Sequence, residues 1–431
     1  MKINIKNIGK VKEADIEING ITVLAGENST GKSTISKALF STFNGLYNID
    51  KKIENDKLRT IKRMLGAITT MREYRRNLIV HGLSLSKFDI LMNELVEKII
   101  KNQITEKNEL KKILSNFITT EEKSRVFEKI INNISDVMNL DNNSYKNIIL
   151  EEQFNKEFDN QISNIRNNDN AKIVVSFSQN KNKNIGISIN SNKINIKEHA
   201  DIITQVIYID DINMALEYKK EADIFKIYNF GEPFSHTTLL VKLLDNKNPS
   251  LAKKIINEKK LENINKILNQ ISPGMLYTKD DGNFVYKTED GIDISTSNIS
   301  LGLKTFIVLK KLIQNSIIEE NGTIILDEPE IHLHPKNQLK FAEIIVLLQK
   351  EFGLHILLST HSPYFIKAIE EYSKKYAINK KCKFYLSSLK NKVAIFEDVT
   401  EKTYKIYKLL AEPYDILDEI EIENNNRDKN D

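Results

Sequence analysis

Gly26-x-x-x-x-Gly31-Lys32-Ser33 has the spacing of a loop that cradles phosphate. Glycines at the two ends let backbone N–H groups turn toward phosphate oxygens with no side chain in the way. The candidate binding segment is Gly26, Glu27, Asn28, Ser29, Thr30, Gly31, Lys32, Ser33 and Thr34. Lys32 can pair with the β- and γ-phosphates of a nucleoside triphosphate, and the Ser33 hydroxyl can ligate Mg²⁺.

Far along the chain, Thr323-Ile324-Ile325-Leu326-Asp327-Glu328-Pro329 is an apolar run that ends in two acids. Asp327 at its tip is the candidate to hold Mg²⁺ through a water. Glu328 beside it is the candidate to accept a proton from the attacking water. Ser359-Thr360-His361-Ser362-Pro363 closes a second apolar run, with Ser362 and Pro363 reading as helix N-cap and first helical residue. His361 then occupies a strand-to-helix turn from which an imidazole could sense or orient a γ-phosphate. Ser300-x-Gly302 opens another apolar helix, offering a second N-terminus suited to an anion. His332 and His334 have no third His or Cys nearby and read as a turn rather than a metal site.

These groups need strands and helices to hold them. Ile21–Ala25 is a short apolar run leading directly into the loop, and Thr34–Phe43 reads as the helix that follows. His355–Leu358, like Thr323–Leu326, is a mainly apolar run, the pattern of strands buried on both faces of a parallel sheet. Functional residues just past strand ends fit an open α/β sheet with a ligand crevice at its carboxyl edge. Lys32 and Asp327 sit near opposite ends of the chain, so a large insertion must fold back to bring them together.

That insertion is charged and mainly helical at first, as in 86–118, with Ile and Leu at helical spacing but no sustained heptads. Short strands are expected at Lys172–Phe177, Ile185–Ile189 and Val206–Ile209. The expected organisation is 1–45 as the first part of an ATPase lobe, 46–170 as a helical insertion and 171–290 as a mixed α/β segment. The second part of the lobe follows over 291–415, then a flexible tail over 416–431.

Lys and Arg number 63 against 59 Asp and Glu, a balance that gives no general argument for nucleic acid. Lys51-Lys52, Lys62-Arg63 and Arg72–Arg76 are the local basic segments that could touch phosphates of DNA. The single cysteine, Cys382, excludes an internal disulfide framework and a cysteine-based zinc site. There is no apolar run of roughly 18 residues for a membrane helix, nor a signal-peptide core at the start. A cytoplasmic protein without a membrane partner is expected.

The order of phosphate loop, Ser-x-Gly, Asp-Glu-Pro and His turn resembles the ATP-binding-cassette ATPases. The run ILDEPEIHLHP…LLSTHSP is most like their soluble RecF/SMC/OLD-like branch, often labelled AAA family ATPases. The resemblance implies an α/β, ABC-ATPase-like P-loop head with a mostly parallel sheet and a large, mainly helical insertion. It implies ATP and Mg²⁺ as cofactors and a homodimer or higher homo-oligomer of heads closing around two nucleotides. Ser300 and Gly302 would contact the γ-phosphate held by the other head, Asp327 and Glu328 would be the Walker B pair, and His361 the switch histidine. The family's signature reads close to Leu-Ser-Gly-Gly, whereas Ile299-Ser300-Leu301-Gly302 stands here. Gln205 is the candidate for the Q-loop glutamine.

OLD-type nucleases carry a further nuclease domain, and the length and acid spacing of the stretch after His361 lead us to expect none there. The chain therefore resembles the nuclease-free ATPases of antiphage systems such as Septu and PARIS, which work beside a separately encoded effector. The expected function is an ATPase whose closure controls such an effector. The alternative is a RecF-like DNA-binding ATPase of repair or recombination; a transporter subunit is disfavoured by the size of the insertion.

Overall fold

The computed structural model describes residues 1–69, 85–115, 125–164, 170–177, 184–190, 192–198, 200–217, 235–245 and 251–427. The basic run Arg72–Arg76 and positions 116–118 of the helical stretch lie outside the described residues. Lys51, Lys52, Lys62 and Arg63 lie on the helix Ile49–Thr69.

The strands are β1 (Lys2–Ile8), β2 (Val11–Glu17), β3 (Ile21–Gly26), β4 (Ala171–Ser176), β5 (Asn184–Asn190), β6 (Lys193–Glu198) and β7 (Ile207–Ile209). They continue with β8 (Met275–Thr278), β9 (Phe284–Lys287), β10 (Asp293–Ser295), β11 (Thr323–Asp327), β12 (His355–Thr360), β13 (Cys382–Lys390) and β14 (Val393–Asp398). Among the described residues, eleven of them form one sheet in the order β6-β5-β4-β1-β2-β14-β13-β3-β12-β11-β7. The half that carries the phosphate loop, β13-β3-β12-β11-β7, is parallel throughout, as the apolar strands predict. An antiparallel wing, β6-β5-β4-β1-β2, extends it on the other side. Strands β8 to β10 make a separate antiparallel sheet, and Lys279–Asn283 is the turn of its first hairpin.

Strands β3, β11 and β12 carry runs of consecutive apolar residues because both faces are covered. Ile21, Val23 and Ala25 of β3 join one core cluster, together with Ile324 and Leu326 of β11 and Ile356 and Leu358 of β12. Leu24, Ile325 and Leu357 join the cluster on the opposite face, with Ile35, Ala38 and Leu39 of the helix Lys32–Leu46. Each fully buried Ile or Leu contributes roughly 1.5–3 kcal/mol, so a polar residue at these positions would be strongly selected against by folding itself.

On the first face, helices Leu301–Gln314, Pro335–Phe352 and Pro363–Lys375 are keyed together by their rings. Phe306 meets Phe341 edge-on with centroids 5.5 Å apart, and Phe341 stacks on Phe365 at 6.1 Å. Each aromatic pair adds about 0.5–1.5 kcal/mol beyond the area it buries. The three helices that begin at the Ser-x-Gly segment, the HLHP turn and the His turn are thereby fixed to one another.

The chain divides into two compact units: Met1–Tyr47, Leu150–Phe225 and Pro233–Asp431 in the first, Asn48–Ile149 and Lys226–Glu232 in the second. The second is helical in its described residues. Ile61 and Leu65, Leu95 and Ile99, Leu110 and Leu114, and Ile130 and Ile134 recur at i, i+4 and meet in one core. The helix Tyr404–Arg427 runs through most of the segment expected to be a flexible tail, exposed along 411–422. Among the described residues no helix is long and apolar enough to cross a membrane.

Candidate functional site

The phosphate loop lies where β3 meets the helix Lys32–Leu46. Gly26 has φ 148° and packs so tightly on β13 that a Cβ there would lie 2.3 Å from the Ser387 carbonyl oxygen. Gly31 caps the helix with a left-handed backbone and, lacking a side chain, leaves the first N–H groups of the helix without a side-chain cap. Thr30 turns inward: its hydroxyl donates to the Glu27 carbonyl at 2.7 Å and meets the Ser387 hydroxyl at 2.7 Å. Glu27, Asn28, Ser29 and Ser33 are exposed, and Ser33 lines two adjoining cavities.

The first cavity, about 630 Å³, runs from Lys32, Ser33, Thr34 and Glu328 to Lys10, Gln161, Asn164 and Lys392. Lys32 is 4% exposed, and its ammonium donates to the carbonyls of Gly26 at 2.9 Å and Glu27 at 2.8 Å. Burial lowers its pKa, opposed by the acids Glu328, Asp327, Glu330 and Glu27 around it. A desolvated cation held mainly by neutral carbonyls is one that phosphate oxygens would satisfy better.

The parallel register brings the distant acids to the same edge. Asp327 pairs with Ser359 and Thr360 with Ala25, so the ends of β11, β12 and β3 coincide. Glu328 adopts φ 47°, a left-handed conformation that costs a β-carbon-bearing residue about 1–3 kcal/mol. Its amide donates to the Ser359 carbonyl at 3.0 Å, which holds that turn. The Glu328 carboxylate lies 3.8 Å from the Lys32 ammonium and 3.4 Å from His361 Nδ1. His361, with help from Lys32 and against the effect of burial, holds the Glu328 carboxyl below its ordinary range; Glu328 in turn raises the imidazole.

Asp327 Oδ2 accepts from the Tyr208 hydroxyl at 3.1 Å, while Oδ1 is buried with no hydrogen-bond partner. It lines a second cavity of about 470 Å³ with Asn28, Ser33, Asp210 and Glu328. A buried, unsatisfied carboxylate oxygen beside a serine hydroxyl fits a divalent cation.

Ser300 and Gly302 stand at the head of the helix Leu301–Gln314, and neither lines the two cavities. Ser300 is the N-cap by backbone geometry, yet its exposed hydroxyl makes no capping bond. A Cβ on Gly302 would lie 2.7 Å from the His332 carbonyl oxygen, so the close approach this glycine permits is to the HLHP turn. His334 N-caps the next helix, its Nδ1 accepting from the Lys336 amide at 3.3 Å. Gln205 is not at the nucleotide edge: it precedes β7, at the opposite end of the parallel strands, and donates to Asn44. Cys382 is buried, with its thiol pushed up to about 11 by burial, and is chemically quiet.

Residues 1–366 match the family described as AAA ATPase domain, most of the chain and every candidate residue from Gly26 to His361. The chain belongs to the AAA ATPase domain family. This AAA ATPase is 33% identical over 92 residues to Retron Vc95 probable ATPase of Vibrio cholerae serotype O1 biovar El Tor, covering 19% of this chain and 17% of that protein. It is 31% identical over 78 residues to OLD nuclease of Thermus scotoductus, covering 18% of this chain and 15% of that protein. The chain thus spans less than a fifth of the length of each of these two curated relatives. Among solved structures, an SMC head bound to the C-winged helix domain of ScpA has 12% identity and a TM-score of 0.46, over 94% of this chain and 98% of that one. The SMC head domain from Thermotoga maritima has 9% identity and a TM-score of 0.38, over 92% and 98%.

Several residues of the ATPase around this site carry no local motif. Glu330 is 1% exposed, accepts from the Thr360 hydroxyl and leaves Oε2 without a partner; burial raises its pKa. Lys304, on the helix after Ser300, reaches Asn213 and Glu217 beside the second cavity. Asp210 and Asp211 follow β7 as Asp327 and Glu328 follow β11, an apolar strand ending in two acids, and that repeated pattern was the available signal. His236 had none.

Proposed function

We propose that this AAA ATPase binds ATP with Mg²⁺ on the Gly26–Thr34 loop and hydrolyses it between two copies of the head. The observation that carries the reading is the run Lys32, Glu328, His361, with 3.8 Å and 3.4 Å between successive side chains, Lys32 and Glu328 lining one cavity. Lys32 holds the phosphates, Ser33 and Asp327 hold the cation, Glu328 takes the proton of the attacking water, and His361 orients the γ-phosphate end. Mg²⁺ when bound supplies charge neutralisation to the triphosphate.

The second copy offers Ser300 and Gly302 to the nucleotide on the first. Supporting this, the Ser300 hydroxyl is uncommitted, and the exposed side chains of Leu301 and Ile331 rim the cavity that holds Glu328. In this reading head closure controls a separately encoded effector, a nuclease or toxin, in antiphage defence. The resemblance to Septu and PARIS ATPases supports it, as does a relative named as a retron ATPase. Co-expression with the product of the neighbouring gene tests it: association that changes between ATP-bound and nucleotide-free protein is expected. No association in either state would remove the effector from the reading.

A further inference from the structure

His236 is bonded on both ring nitrogens although it belongs to none of the nucleotide motifs. Nδ1 lies 2.7 Å from Glu157 Oε2, and Nε2 lies 2.7 Å from Asp210 Oδ2. The other oxygen of Glu157 accepts the backbone N–H of His236 at 2.7 Å. One imidazole thus ties together the helix Asn142–Phe158, the start of the helix His236–Leu244 and the loop that follows β7.

The face of the same ring backs Tyr208, with centroids 4.4 Å apart. Phe40, from the helix of the phosphate loop, packs edge-on against His236 at 6.0 Å and tilts against Tyr208 at 5.7 Å. A phenol ring wedged in this way points its hydroxyl in one direction, and that direction is Asp327 Oδ2 at 3.1 Å. Burial keeps the phenol protonated and therefore a donor. One carboxylate oxygen of Asp327 is occupied, and the other, Oδ1, is left buried and unpartnered.

We propose that His236 is a positioning residue for the cation side of the nucleotide site, acting through Tyr208 and Asp210 to present one oxygen of Asp327 to the metal. The inference rests on the ATP–Mg²⁺ reading above. Without the imidazole, Glu157 and Asp210 lose their common partner, Asp210 is free to turn into the cavity it lines, and Tyr208 loses its backing. Groups that orient a metal ligand typically contribute about 10–100-fold in metal affinity, so the effect is measurable.

The test compares full-length wild type with Tyr208→Phe, His236→Gln and the double variant. Affinity for a non-hydrolysable ATP analogue is measured in EDTA, and Mn²⁺ affinity of the analogue-loaded protein by water-proton relaxation. Analogue affinity in EDTA within about 2-fold of wild type, with Mn²⁺ affinity about 10-fold weaker or more in each single variant, is expected. Because His236 acts through Tyr208, the double variant should be no worse than the poorer single one. Unchanged Mn²⁺ affinity in Tyr208→Phe, which keeps the ring and loses only the hydroxyl, overturns the proposal even if His236→Gln fails to fold. Additive losses in the double variant overturn the coupling. Absence of analogue binding by wild-type protein would instead sink the ATP-site reading, and this inference with it.

Discussion

Glu328 and His361 face each other at 3.4 Å across the ends of two neighbouring strands, β11 and β12. Neither would find the other through local sequence. The parallel register Asp327↔Ser359 sets their spacing, and the left-handed turn at Glu328 aims the carboxylate toward the imidazole and Lys32. An acid held below its ordinary range and facing a cavity is ionised and ready to accept a proton.

Glu328→Gln removes that acceptor with little change in shape. Hydrolysis should fall by about 10²–10⁴-fold while ATP binding persists. Light scattering in saturating ATP–Mg²⁺ checks the two-head reading, with a trapped dimer expected. A monomer under those conditions would contradict closure between copies.

Lys32→Ala deletes the buried ammonium at the floor of the cavity. Hydrogen bonds to charged groups contribute about 1.5–3 kcal/mol each. Calorimetry should therefore register nucleotide affinity weaker by roughly 10–150-fold. Full turnover in this variant would show that the phosphates bind elsewhere.

Gly302→Ala would place a methyl group 2.7 Å from the His332 carbonyl oxygen. Relief requires the helix or the HLHP turn to shift, and overpacking of this kind costs about 1–3 kcal/mol. A lower Tm is expected. If Gly302 also meets nucleotide on a second copy, ATP-induced dimerisation should weaken more than ATP binding does.

The His236 cluster gives stability a defined pH dependence. Burial works against the charged ring, but the hydrogen bonds and charges of Asp210 and Glu157 prevail and raise it from 6.5 to about 9. A group raised on folding stabilises fully below its unfolded value, so the contribution is complete below pH 6.5 and is lost as pH rises through about 9. It amounts to on the order of 3 kcal/mol. Melting followed from pH 6 to about 10 should have an alkaline decline that is shallower in His236→Gln. An identical decline in the variant would place the titrating group elsewhere.

By itself the sequence determined the strand, glycine loop and helix around Lys32, because turn chemistry and apolar periodicity act between near neighbours. For the same reason Asp327, Glu328 and His361 were legible as groups just past apolar strands. What such reasoning cannot reach is contact between segments remote in the chain. Gln205 precedes an apolar strand as a candidate should, but strand direction in the sheet places it at the end away from the phosphates. Gly302 has the look of a ligand-facing glycine, while packing presses it against His332. Tyr208, Asp210, Glu157 and His236 become one network only when three separate segments meet at the edge of β7. Local propensity sets which elements form; the burial of both faces of the parallel sheet sets which of their ends come together, and that decided the site.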